Sequence, residues 1–256
     1  MRIVVKVGTS TLAHATGRLN IRRSEKLCQV LSDIKNAGHE VILVSSGAIG
    51  LGAGKMNLKE RPRDMAGRQA AAAVGQCELM YQYDRLFGHY NHTVAQMLLT
   101  ADDFSHADRR THLENTLFRL LELGILPVIN ENDTVATDEI SVGDNDTLSA
   151  LVAVCAKAEL LVILSDIEGL YEADPHSHPE AKLIHQVRAL TPEIMALGGG
   201  SASNLGTGGM ATKLHAAQLV TAEGIDLVIA AGQDPALLYD IVEGEEVGTR
   251  FFASKA

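Results

Sequence analysis

Several features that would assign this chain to a familiar class are missing from its sequence. The three cysteines, Cys28, Cys77 and Cys155, are widely separated and form no C-x-x-C pair, which favours reduced thiols over a disulfide framework. No apolar run reaches the roughly 18 residues that a transmembrane helix needs. The N-terminus opens into a strand-like segment and not into a signal peptide. We therefore predict a cytoplasmic protein with no membrane partner.

Basic residues are also scarce. The 22 Lys and Arg residues stand against 32 Asp and Glu residues, so the formal net charge is −10. A broad surface for nucleic acid or for an anionic membrane needs clustered cations, so we predict no nucleic-acid partner. Any phosphate site must be built locally, from a few lysines and backbone N–H groups.

Three common catalytic motifs are absent as well. The chain has no G-x-x-x-x-G-K-[ST] loop, no G-x-G-x-x-G after a strand and no G-x-S-x-G elbow. These absences argue against a P-loop nucleotide hydrolase, a dinucleotide-binding domain and a serine hydrolase. The ten histidines are scattered, and we assign none of them to catalysis or to a protein metal site.

The apolar residues that are present predict an α/β fold with a mainly parallel sheet. Short apolar runs recur at residues 3–7, 40–44, 126–130, 160–164 and 226–230, and helix-like segments separate them. Three of these segments stop at a glycine, at Gly38, Gly124 and Gly224. Strands that are apolar throughout and alternate with helices form parallel sheets covered on both faces.

Small and polar residues follow the predicted strands and indicate a shared crevice. Gly8 follows the first strand, Ser46 the second, and Ser165 and Asp166 the fourth. In open α/β sheets, ligands bind outside the carboxyl ends of the strands. Lys6, inside the first strand, is either an edge residue that snorkels outward or a cation aimed at this crevice.

Two further segments each allow two interpretations. Residues 129–149 carry six carboxylates and no Lys or Arg, which fits a polar surface hairpin or a site for a charged ligand or metal. Residues 206–213 form a glycine-rich turn that leads into a helix and contains Lys213. This turn is either a mobile surface loop or an anion site made of backbone N–H groups.

Five segments of the chain resemble the glutamate 5-kinases of the amino acid kinase superfamily. These segments are residues 6–10, 44–49, 127–133, 142–146 and 206–213, and they occur in the family's order across nearly the whole chain. The motifs Asn-Glu-Asn-Asp and Gly-Asp-Asn-Asp are specific to glutamate 5-kinases. The lysine and glycine of the first segment, Lys6 and Gly8, are shared by the whole superfamily.

The resemblance implies both a fold and a reaction. The fold is an α/β/α sandwich with a mainly parallel open sheet, as one kinase domain over residues 1–256. A lobe of about 1–155 would hold the amino acid and a lobe of about 156–256 the nucleotide. The reaction is ATP-dependent phosphorylation of the side-chain carboxylate of L-glutamate, the first step of proline biosynthesis. Mg²⁺ carried by the nucleotide, inhibition by proline and a homo-oligomer (dimer or tetramer) are also implied.

The resemblance also assigns roles to individual residues. Lys6, Lys213 and Asp146 would be catalytic, with Asp146 holding both ammonium groups. Glutamate would be bound by Ser46, Asp133 and Asn145; Asp133 suits its α-ammonium, and Asn145 can donate to a carboxylate. The nucleotide-binding positions would be Lys6, Ser165, Asp166, Thr207, Gly208, Gly209, Met210, Ala211, Thr212 and Lys213. A carboxylate is already ionised near neutral pH, so this reaction needs charge stabilisation and no general base.

The chain differs from the family's pattern at two points, and two other functions compete with this interpretation. Many family members carry a C-terminal PUA-type domain, which we do not expect here because the sequence stops at Ala256. Ala211 stands where the family has serine, which removes one candidate phosphate contact. Acetylglutamate, aspartate, carbamate and UMP kinases share the fold and the lysines but not the 130–133 and 144–146 motifs. A non-catalytic sensor of glutamate or proline would need neither Lys6 nor Lys213.

Overall fold

The computed structural model describes residues 1–135, 144–175, 177–199 and 209–254. Within them, the strands are β1 (Arg2–Val7), β2 (Glu40–Ser45), β3 (Val94–Leu99), β4 (Leu126–Glu131), β5 (Leu160–Ser165), β6 (Gln186–Val187), β7 (Asp226–Ala231) and β8 (Thr249–Phe251). The helices are α1 (Thr9–Leu12), α2 (Ile21–Asn36), α3 (Ala48–Lys55), α4 (Met65–Gly88), α5 (Ala101–Ser105), α6 (Ala107–Glu122), α7 (Asn145–Ala156), α8 (Pro192–Ala196), α9 (Met210–Ala222) and α10 (Leu237–Glu243). No helix among these residues is both long enough and apolar enough to cross a lipid bilayer.

The strands form one open sheet in the order β3-β4-β2-β1-β5-β7-β8-β6. The six strands from β3 to β7 in this order pair in parallel. Strand β8 pairs antiparallel with β7, and β6 pairs parallel with β8. The predicted mainly parallel sheet is therefore confirmed, with β1 and β5 near its centre.

Helices cover both faces of the sheet, because successive residues of each strand point to opposite sides. Val4 belongs to the hydrophobic core on one face, together with residues of α6, α7 and α9. Its neighbours Ile3 and Val5 belong to the core on the other face, with residues of α2, α4 and α10. The architecture is an α/β/α sandwich, as the resemblance implied.

The glycines expected to end helices do so. Gly38, Gly124 and Gly224 all have positive φ angles, between 70° and 96°, and each lies just beyond the C-terminal end of its helix, α2, α6 or α9, with a single capping residue between. Each then leads into the strand that was predicted to follow it. Glycine reaches this left-handed conformation without the steric cost that a side chain brings.

Helices α3 and α4 cross so closely that their main chains touch. A Cβ atom built on Gly52 of α3 would overlap the carbonyl of Ala71, and one built on Gly75 of α4 would overlap the carbonyl of Ala48. Only glycine fits at these two positions. The crossing therefore fixes α4 directly against the helix that begins after β2.

Candidate active site

Three charged side chains from distant parts of the sequence meet near the carboxyl end of β1. Lys6 lies one residue before the end of β1, Asp146 in the first turn of α7, and Lys213 at the start of α9. Lys6 Nζ is 2.6 Å from Asp146 Oδ1, and Lys213 Nζ is 3.1 Å from Asp146 Oδ2. All three residues are buried, and Asp146 is 0% exposed. The structure thus brings together the three predicted catalytic residues.

The two lysines keep Asp146 ionised in this buried position. Burial disfavours the charged form, but the ammonium groups of Lys6 and Lys213 outweigh it and hold the pKa of Asp146 below its usual value. Thr212 adds a hydrogen bond from its hydroxyl to Asp146 Oδ2, at 2.9 Å. Two cations and one anion leave the three-residue cluster with a net charge of +1. Such a cluster suits an anion such as a phosphoryl group.

Two of the predicted glutamate-binding residues are joined by a hydrogen bond. Asn145 Nδ2 donates to Ser46 Oγ at 2.7 Å, just beyond the end of β2. The same nitrogen donates to Asn130 Oδ1 at 3.0 Å, near the end of β4. Asn130 Nδ2 in turn donates to Gln76 Oε1 at 3.0 Å. The hydrogens that we expected Asn145 to offer to a substrate carboxylate are therefore engaged within the protein.

Asp133, the third predicted glutamate-binding residue, follows β4 in a turn. Burial, together with the nearby charge of Glu131, raises its pKa to about 6, and the guanidinium of Arg68 opposes this rise. No described hydrogen bond joins Asp133 to Ser46 or to Asn145. Asp138 and Glu139, which belong to the same acidic segment of the sequence, lie outside the described residues.

The predicted nucleotide-binding residues lie in two places. Ser165 and Asp166 follow β5, where Ser165 Oγ donates to Asp166 Oδ1 at 3.1 Å and the Ser165 carbonyl accepts from Gly232 N–H at 2.7 Å. Gly209 caps α9 without a side-chain hydrogen bond, and Met210, Ala211 and Thr212 form its first turn. Thr207 and Gly208 lie outside the described residues. No hydrogen bond or ion pair in the described part of the chain links Ser165 or Asp166 to α9.

Comparison with known proteins identifies relatives whose sequences are highly similar to this chain. The model of the amino acid kinase family matches residues 1–231. Glutamate 5-kinase of Clostridium perfringens is 51% identical over 258 residues, which cover 99% of this chain and 96% of that protein. Glutamate 5-kinase of Listeria innocua is 48% identical over 258 residues and covers 99% and 94%.

This chain belongs to the glutamate 5-kinases of the amino acid kinase family. Solved structures of more distant kinases share its fold. Carbamate kinase from Giardia lamblia superposes with a TM-score of 0.70 at 16% identity and covers 98% of each chain. At this identity, the likeness concerns the architecture alone. The family therefore rests on the sequence relatives, and the α/β/α sandwich on both comparisons.

The buried polar side chains that α4 directs at Asn130 and Ser45 were not foreseen from the sequence. Gln76 bonds to Asn130, and the hydroxyl of Tyr83 lies 2.8 Å from Ser45 Oγ. The two residues are seven positions apart and so lie on one face of the helix. Polar residues at helical spacing within the stretch of alanine and glycine around Gln76 were the available signal.

Proposed function

We propose that this chain transfers the γ-phosphoryl group of ATP to the side-chain carboxylate of L-glutamate, giving L-glutamyl 5-phosphate and ADP. One observation carries the mechanism: Asp146 holds Lys6 and Lys213 on its two oxygens, 2.6 Å and 3.1 Å away. Lys6 lies on β1 and Lys213 on α9, one in each of the two proposed lobes. They are placed to screen the repulsion between two anionic reactants and to stabilise the charge spread over the transferring group.

The two halves of the sheet divide the binding tasks in this proposal. Residues up to about 155 form the acceptor lobe, with Ser46, Asn145 and Asp133 around the amino acid. Residues from about 156 onward form the nucleotide lobe, with Ser165, Asp166 and the segment 207–213. Gly209 caps α9 without a side-chain hydrogen bond, and backbone N–H groups at a helix N-terminus suit phosphate oxygens.

Mg²⁺ is assigned to the phosphates of ATP. Among the described residues, no group of three or more His, Cys, Asp or Glu side chains is arranged to hold a metal ion. The protein cations nearest the proposed reaction centre are Lys6 and Lys213, which would share with the metal the task of neutralising phosphate charge. We propose no protein ligand for Mg²⁺.

Partners and location complete the proposal. Proline would act as an inhibitor, and the chain would assemble with copies of itself as a dimer or tetramer, as its resemblance to the family implies. The described cysteines are all free, which agrees with a reducing, cytoplasmic setting. Light scattering after size exclusion gives the assembly state directly.

A coupled assay of ADP release tests the proposed reaction. The acceptor panel is L-glutamate, N-acetyl-L-glutamate, L-aspartate, carbamate and UMP, each with and without L-proline. Activity confined to L-glutamate supports the proposal. Activity with another acceptor would assign the chain to that kinase. No turnover together with tight proline binding would identify a sensor.

Asp133 provides a prediction about glutamate affinity. Replacing Asp133 with alanine removes the carboxylate proposed to pair with the α-ammonium of glutamate. We expect glutamate affinity to fall about ten- to a hundredfold, the usual effect of losing a hydrogen bond to a charged group, while ATP affinity stays nearly unchanged. Isothermal titration with each ligand measures both. Thr134→Ala, in the same turn, is the control; equal loss of both affinities would mean that Asp133 shapes the fold.

The raised pKa of Asp133 adds a pH dependence. The carboxylate is ionised above its pKa of about 6 and attracts an ammonium only in that form. Glutamate binding without nucleotide should therefore weaken as the pH falls through 6, by about tenfold at one unit below the pKa. Titrations of glutamate between pH 5 and 8 measure this trend. Asp133→Asn should bind weakly at every pH, and a slope that persists in this variant would assign the titration to another group.

A further inference from the structure

The hydrogen bonds that begin at Gln76 run in one direction towards the acceptor site. Gln76 Oε1 accepts from Asn130 Nδ2, Asn130 Oδ1 accepts from Asn145 Nδ2, and Asn145 Nδ2 also donates to Ser46 Oγ. Gln76 and Asn130 are both buried, 8% and 3% exposed. We name these four residues the amide relay. It joins the middle of α4 to the start of α7.

One main-chain carbonyl shows which end of the Asn145 side-chain amide is the nitrogen. The Asn145 amide also faces the main-chain carbonyl of Ser45, at 3.4 Å from Nδ2. A carbonyl only accepts hydrogen bonds, so the Asn145 atom beside it must be the nitrogen. The Asn130 atom facing that nitrogen must then be its oxygen. Asn130 therefore turns its own nitrogen towards Gln76, and Gln76 Oε1 accepts a hydrogen bond from it.

This orientation decides which atom of Asn145 is left for a ligand. Its nitrogen serves protein acceptors, whereas its Oδ1 receives no hydrogen bond from any described residue. Asn145 is only partly buried. A carbonyl oxygen accepts from an ammonium and repels a carboxylate. Ser46 Oγ already accepts from Asn145, so its own hydrogen is available to a carboxylate.

A second side chain of α4, Tyr83, contacts the neighbouring residue Ser45 at the end of β2. Ser45 Oγ donates to the Ser46 carbonyl at 3.1 Å, so its contact with Tyr83 at 2.8 Å must be one in which the tyrosine hydroxyl donates. Tyr83 is 1% exposed. Tyr83 thus contacts the end of β2 directly, whereas Gln76 reaches Ser46 only through Asn130 and Asn145.

We propose that Gln76 is a positioning residue that sets the specificity of the acceptor site for an α-ammonium group. Through Asn130, it keeps Asn145 turned with Oδ1 towards the substrate, so that the amine of an α-amino dicarboxylate is accepted there. Gln76 itself touches no substrate. This inference rests on the proposed glutamate phosphorylation and adds to it the residue that orients the amine-recognising group.

The test compares two acceptors that differ only in the amine, L-glutamate and glutarate. In Gln76→Met, Asn130 Nδ2 loses its buried acceptor, and only the long 3.4 Å contact with the Ser45 carbonyl still favours the present orientation of Asn145. We expect the ratio of kcat/KM for L-glutamate to that for glutarate to fall about tenfold or more, with KM for L-glutamate changing more than kcat. Gln76→Glu keeps an acceptor facing Asn130 and should retain most of the wild-type ratio.

Gln82→Met is the matched control. Gln82 lies on the same helix but donates to Glu78 away from the relay, so its replacement should leave the ratio unchanged. A folded Gln76→Met variant with the wild-type ratio would overturn the proposal, as would a Gln76→Glu variant that loses as much as Gln76→Met. Wild-type protein without L-glutamate turnover would instead contradict the proposed function.

A measurement on the unaltered protein covers the case in which Gln76→Met does not fold. The side-chain NH₂ protons of Asn145 should exchange slowly with water in the free protein, because they are held by Ser46 and Asn130. Saturation with L-glutamate should leave them bonded to the same partners, as judged by NMR. Transfer of these protons to the ligand on binding would show that Asn145 donates to the substrate, and the proposal would fail.

Discussion

Replacing Lys213 or Lys6 with alanine should lower kcat by about a hundredfold or more and change KM for L-glutamate far less. Each ammonium group lies in a buried, water-poor site, where charge stabilisation of a transition state is strong. Removal of one preorganised group of this kind costs about 10²–10³ in rate. Steady-state kinetics with both substrates varied measures the effect.

Two companion variants separate charge from packing in this experiment. Lys213→Met and Lys6→Met keep most of the side-chain volume and remove only the charge, so they should be as slow as the alanine variants. Lys55→Ala is the control: it removes an exposed lysine of α3 that forms an ion pair with Glu78 of α4, and it should leave kcat unchanged. A raised KM with normal kcat would remove that lysine from the catalytic role.

Replacing Asp146 with alanine should damage both stability and turnover. It leaves two buried ammonium groups close together without their shared carboxylate. Breaking a buried ion pair from one side costs about 3–5 kcal/mol in the free energy of unfolding. Urea denaturation should show this loss, and kcat should fall at least as far as in the lysine variants because neither lysine is held in place.

A double variant distinguishes charge repulsion from lost packing. Asp146→Ala combined with Lys213→Met removes one of the two cations, and it should recover part of the stability without recovering activity. Asp108→Ala removes an exposed first-turn carboxylate from α6 and controls for the general effect of an acid at a helix start. If the double variant is no more stable than Asp146→Ala, repulsion between the lysines is not the cause.

The centre of the fold was predictable because its strands are apolar along their whole length. In β1, for example, five of six residues are buried, and such an apolar run can be recognised as a strand from the sequence alone. The edge strand β3 was missed because its burial is partial and irregular. Strands β6 and β8 have two and three residues, and only their pairing with each other and with β7 makes them strands.

Helix α4 was missed for a different reason. The part of its buried face that packs against α3 is made of small residues such as Ala71, Ala72 and Gly75, which give no strong apolar stripe. The contact with α3 depends on the absence of side chains, and periodicity of large apolar residues cannot reveal such a contact. The direction of the amide relay was likewise beyond sequence reasoning, since it follows from atoms of residues 54 and 15 positions apart.

The candidate site was predictable in part. The resemblance to the family singled out Lys6, Asp146 and Lys213 as candidates. In the sequence, Lys6 lies 140 positions from Asp146, and Lys213 lies 67 positions from it, yet both contact it in the structure. No local pattern states that one carboxylate lies between two lysines. The raised pKa of Asp133 also needs the folded surroundings, because burial is its main cause. The roles of the glutamate- and nucleotide-binding residues stay predictions.

The bare crossing of α3 and α4 has a consequence for how this protein can move. Where Gly52 and Gly75 bring main chain against main chain, no layer of side chains is available to slide or repack. The two helices must therefore travel as one rigid element. Any hinge in this part of the chain has to lie outside that element, in the flanking connections. Gln76, on α4, would keep its position relative to α3 throughout such a motion.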